Sequence, residues 1–269
     1  MPDIEWILLY FLLGSFVGFM GGLLGVGGGG ILVPLLVTIF NYQGMHSGNL
    51  VHLALGTSLA CMIISATASI RAHAMRGTVA WKMVYGMAPG IILGAFLTTQ
   101  IAANVNSLYI AIFFSIFMAV VAAQMFFNWK PEASETPAKI RDLFLMGTGI
   151  GSVSSLAAVG GGFLSVTYLS YKNLDMKKAI GTSSAIGFPI AIAGTLGYLI
   201  SGWSKTLGDA YTIGFIYIPA FVVIAITSFI AAPYGVRCAH YLPDAHLKKI
   251  FALISLALSI KMLFSVINF

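Results

Sequence analysis

Two glycine clusters are the residues in this chain best placed to do chemistry: Gly27, Gly28, Gly29 and Gly30, and later Gly160, Gly161 and Gly162. Consecutive glycines break a helix, each costing about 1 kcal/mol relative to alanine. A helix that starts again just beyond them presents unpaired N–H groups and a positive dipole end, which bind an anion without a charged side chain. Close packing of two helical arms is the competing role. VGGGGI lacks the Lys-Ser/Thr of a phosphate-binding loop and follows no strand, so nucleotide binding is excluded.

A second element, GTS, supplies hydroxyls: Thr57 and Ser58, then Thr182, Ser183 and Ser184. Such hydroxyls either bond back to the preceding turn or line a polar path. His52 is a candidate proton-sensitive gate or a hydrogen-bonded histidine at an interface. Arg71 and Arg76 anchor a helix end or form a funnel for anions. The eight acidic residues, Asp3, Glu5, Glu132, Glu135, Asp142, Asp175, Asp209 and Asp244, are expected in tails and loops. That leaves no embedded carboxylate for a proton relay or cation site. Cys61 and Cys238 show no metal-ligand spacing, and neither a cofactor nor a metal is expected. No nucleophile with its base is visible, so an enzyme is not expected.

These groups sit in a chain of 269 residues that is 59% apolar and only 8% charged, with mean hydropathy +0.95. Soluble domains carry roughly a quarter charged residues. Continuous apolar runs of about 20 residues require membrane-spanning helices rather than a barrel. The fold class is therefore all-α, a polytopic helical membrane protein. The net charge of +6 collects in short loops, a topogenic pattern and not a nucleic-acid footprint. The expected partners are the bilayer and a small anionic substrate, with a homo-oligomer left open.

The chain also repeats itself. VGGGGILVPLL at 26–36 aligns without gaps to VGGGFLSVTYL at 159–169, and ALGTSLA at 54–60 to AIGTSSA at 179–185. Pro89 and Pro219 are read as corresponding, as are the apolar runs at 112–127 and 250–264. This predicts one repeat over 1–128, a linker over 129–142 and a second repeat over 143–269. Each repeat holds a glycine-interrupted segment, 6–40 or 143–171, and three spans: 50–70, 80–101 and 108–128, then 178–202, 211–232 and 249–268. The second interrupted segment is too short for two passes, which predicts a helical hairpin with glycines at its tip. The first is long enough to span twice. With hairpins that enter and leave on one side, twelve of the fourteen Lys and Arg fall on one side, which the positive-inside rule makes cytoplasmic. The second copy is then inverted, a recurrent transporter plan.

GGLLGVGGGGILVPLL, ALGTS, the RAHAMRGTVAW loop, VGGGFLSVTYL and AIGTSS, in that order, resemble the sulfite exporter TauE/SafE family over nearly the whole chain. The resemblance implies a permease of the bacterial inner membrane, an exporter of sulfite, a sulfonate or another sulfur oxyanion. The expected mechanism is alternating access around the two tips. A channel-like facilitator and a non-transport assembly subunit are the alternatives.

Overall fold

The computed structural model describes residues 4–25, 27–45, 48–127, 139–206 and 211–267. Among the described residues, ten helices run in two series of five. The first is α1 (Ile4–Leu24), α2 (Gly29–Tyr42), α3 (Leu50–Ala74), α4 (Trp81–Ala102) and α5 (Ser107–Phe126). The second is α6 (Ile140–Leu156), α7 (Gly162–Tyr171), α8 (Met176–Gly202), α9 (Ile218–Tyr241) and α10 (Asp244–Ile267). Among the described residues, α1, α3, α4, α5, α8 and α9 are long and apolar enough to cross a membrane. Ile116, Val120, Ile226 and Ile230 stand exposed on their flanks. An apolar exterior of that extent suits lipid rather than water.

The linker expected over 129–142 lies, as far as residue 138, outside the described residues, as do Asp3 and Asp209. The described acids sit at helix starts rather than in loops. Glu5 and Asp142 lie in first helical turns, and the Asp175 carboxylate caps α8 by accepting the Lys178 N–H at 2.9 Å. A negative charge there is stabilised by the helix dipole.

One expected span is displaced. Residues 212–217 form a two-stranded antiparallel ribbon, β1 (Thr212–Ile213) and β2 (Ile216–Tyr217), with Thr212 opposite Tyr217. The described residues are otherwise helical, as the all-α reading expects, and α9 starts seven residues later than the expected 211. Pro219 lies in the first turn of α9, where its missing N–H costs nothing, whereas Pro89 lies inside α4. The two prolines therefore do not correspond.

Packing pairs helices across the two series. Helix α1 lies on α9 and α4 on α6, while α3 crosses α8 and α5 packs on α10. Small residues make these approaches close: Gly14 faces Ile224, Gly18 faces the Ser228 backbone, and Gly22 faces the Ala232 carbonyl. On the other pair Gly147 faces Met87 and Gly151 faces Ile91. With lipid as solvent there is little hydrophobic drive between helices, so such backbone-to-backbone contact is what holds them.

Candidate functional site

The two glycine clusters meet. Gly28 caps α2 with φ 75° and ψ −15°, and Gly161 caps α7 with φ 73° and ψ −22°. Both adopt the left-handed conformation that a Cβ disfavours. Each turns the chain so that a new helix starts in the protein interior. Gly29 packs directly on the Ala158 carbonyl, and the Cβ position of Gly27 lies 3.7 Å from Gly160 Cα. Gly27 to Gly30 and Gly160 to Gly162 are all buried. The ends of the first hairpin stay together, since Tyr10 Oη donates to Gln43 Oε1 at 3.0 Å. Helix α2, at 14 residues, is about 21 Å long, shorter than a hydrocarbon core of about 30 Å.

The crossed pair α3 and α8 holds the tips. Ser183 Oγ donates towards the Gly25 carbonyl (3.3 Å) and the Gly162 carbonyl (3.2 Å), so one hydroxyl touches both tips. Ser65 Oγ donates to the Gly27 carbonyl at 3.0 Å, and Ser69 Oγ to Ser184 Oγ at 3.3 Å. Met62 touches Gly27 and Gly29. Ser58, Met62, Ser65 and Ser69 therefore share one helical face, at the spacing 0, 4, 7, 11. Sequence reasoning missed Ser65 and Ser69, although that periodicity from Ser58 was available. Ser165, also missed, lies one turn into α7, its hydroxyl 2.6 Å from the Cβ position of Gly161. The hydroxyls of Ser58 and Ser165 are fully buried and have no partner among the described residues.

The threonines of the GTS elements have a different partner. Thr57 Oγ1 accepts the Tyr217 N–H at 3.0 Å, and Thr182 Oγ1 accepts the Ala80 N–H at 2.9 Å. Tyr217 caps α9 and Ala80 caps α4, so each threonine holds the start of a helix from the other series. The preceding glycines make room: Gly56 abuts the Phe215 carbonyl, and the Cβ position of Gly181 lies 2.6 Å from the Thr78 carbonyl.

The remaining candidates lie away from the tips. His52 is buried, with Nε2 3.0 Å from the Ala102 carbonyl and Nδ1 3.2 Å from Ser107 Oγ, and its ring stacks on Phe215. At the opposite end Arg76 Nη1 donates to the Ala72 carbonyl at 3.0 Å, and Arg71 is exposed. His73, His240 and Lys177 gather at that end as well, with the His73 and His240 rings 5.8 Å apart and Lys177 Nζ donating to the His240 carbonyl at 3.3 Å. A cavity of about 20 Å³ lies beside Gly30 and reaches Ile31, Met118 and Val159. That volume accommodates roughly one water.

Six long apolar helices and two helix starts that converge inside the bundle define a multi-pass helical membrane protein. The sequence profile of the sulfite exporter TauE/SafE family matches residues 10–262. A probable membrane transporter protein of Haemophilus influenzae is 33% identical over 258 residues, covering 96% of this chain and 98% of the relative. One of Methanocaldococcus jannaschii is 28% identical over 251 residues, covering 91% and 92%. One of Bacillus subtilis is 28% identical over 205 residues, covering 73% and 79%. The chain belongs to the TauE/SafE family, a family of membrane transporters and not of enzymes.

Proposed function

We propose that the protein exports a small anion, sulfite, an organosulfonate or a related sulfur oxyanion, across the bacterial inner membrane by alternating access. The observation that carries this is the meeting of two helix starts, α2 at Gly28 and α7 at Gly161, with the unpartnered hydroxyl of Ser165 beside Gly161 and that of Ser58 one helical turn from Met62, which touches Gly27 and Gly29. First-turn N–H groups supply donors and a positive potential for an oxyanion. Hydroxyls complete its shell without adding charge. No described acidic residue lies near the tips to repel it. Gly29 packs on the Ala158 carbonyl, and the substrate enters when one hairpin parts from the other.

The repeats 1–128 and 143–269 are read as inverted copies. Equivalent glycine caps, equivalent threonine clasps and the reciprocal pairing of α1 with α9 and α6 with α4 support this. The basic end, with Arg71, Arg76, Lys177 and Arg237, is read as cytoplasmic. Membrane potential then drives the anion outward.

Counterflow in proteoliposomes tests the proposal. Trans-stimulated exchange of labelled sulfite or a sulfonate is expected. Flux without trans-stimulation would instead indicate a channel-like facilitator, and no flux of any sulfur oxyanion would remove the proposal. Single cysteines at Asn104 and Tyr241 should label from opposite faces of the membrane.

A further inference from the structure

A groove of about 710 Å³ runs between α3, α4 and α8, lined on α8 by Ala185, Phe188 and Ile192 while the neighbouring Ser183 and Ile186 face the glycine tips. It extends along α4 from Trp81 to Phe96, about 22 Å at 1.5 Å per residue. Its walls are apolar over nearly their whole length, with Ala88, Ile92, Phe188 and Leu196 among them. One end differs. Arg71 lines the groove there, beside the stacked rings of Trp81 and Tyr85, whose centroids are 5.8 Å apart. Arg71, Trp81 and Tyr85 are all exposed, and no carboxylate lines the groove.

A second groove, of about 440 Å³, lies against α3 and α9. It is lined by Ile64, Phe221, Val222, Phe229 and other apolar residues, with no cation and no tryptophan or tyrosine. Both grooves are apolar, and only the first has a charged end.

We infer that the α3–α4–α8 groove binds an anionic phospholipid, with one acyl chain along α4 and the headgroup on Arg71. The length exceeds the depth of one leaflet, about 15 Å, so a chain fits it entirely. An acyl chain gains no hydrophobic free energy by leaving the bilayer, because lipid is as apolar as the groove. Selectivity therefore resides at the headgroup end. A tryptophan and a tyrosine suit the depth of the interface, and the guanidinium pairs with a phosphodiester in bidentate geometry. The α3–α9 groove, without a cation, takes lipid with no preference for charge. This inference does not depend on which anion the tips carry.

Native mass spectrometry of the whole protein, delipidated and titrated with phosphatidylglycerol or phosphatidylcholine, tests it. Phosphatidylglycerol should bind more tightly, and Arg71→Gln should remove about fivefold of that preference, the effect of one cation near an anionic headgroup. Ala88→Trp, filling the groove, should remove the high-affinity lipid, while Val222→Trp in the other groove should not. A photoactivatable phosphatidylglycerol on the unmutated protein should label peptides of α3, α4 and α8. Equal binding of the two lipids, an unaltered preference in Arg71→Gln, or labelling confined to other helices would overturn the assignment.

Discussion

The Thr57 hydroxyl accepts the Tyr217 N–H across 160 positions of sequence, and Thr182 does the same for Ala80 across 102. Each bond ties the start of a long helix in one series to the second turn of α3 or α8, the pair that holds the tips. Thr57→Val and Thr182→Val keep the shape and remove the acceptor. Leaving a buried N–H unpaired costs about 1–3 kcal/mol, so both variants should melt earlier in detergent, and the serine variants should recover most of the loss. A melting temperature unchanged in the valine variants would mean that these bonds hold nothing.

Gly28→Ala and Gly161→Ala should differ although their dihedrals match. Both carry the left-handed penalty of about 1–2 kcal/mol. At Gly28 the added Cβ also meets the Val17 carbonyl at 2.8 Å, whereas at Gly161 the nearest atom is the Ser165 hydroxyl, which can rotate away. Gly28→Ala should therefore be the less stable variant, and transport should fall in both. Paired measurements of melting temperature and proteoliposome flux check the order.

Ser183→Ala removes a hydroxyl that reaches both tips. Two buried carbonyls lose a donor, a loss of about 1–3 kcal/mol. Ser184→Ala breaks a hydroxyl pair with Ser69 and leaves the tip carbonyls alone, so it should cost less. Flux normalised to folded protein should drop further in Ser183→Ala than in Ser184→Ala.

Two glycines on α6 should respond with opposite signs. A Cβ at Gly151 meets Ile91 backbone, with Cα at 2.9 Å, so Gly151→Ala should destabilise by about 1–3 kcal/mol. Gly149 has nothing within 4 Å, and Gly149→Ala should stabilise by up to about 1 kcal/mol through helix propensity. Thermal shift assays on the two purified variants would show whether α6 packs as described.

Composition and run length alone determine that this chain is a bundle of membrane helices, because the alternative solvents are so far apart in free energy for a surface this apolar. The duplicated letters likewise locate both helix breaks, since glycine clusters act on the backbone within a few residues. Other features depended on partners distant in sequence. The GTS threonines read as hydroxyls that bond back to their own turn or line a polar path, and only the fold supplied the Tyr217 and Ala80 N–H groups as their donors. Ser65 and Ser69 gained meaning only when α3 was set against the tips, and Pro219 only when the ribbon at 212–217 moved the start of α9. Arg71 read as a funnel or an anchor, and its groove exists only where α4 and α8 converge. A hydroxyl or a guanidinium carries no record of what will lie opposite it; that is decided by which helices pack, through backbone contacts at glycines such as Gly18 and Gly151.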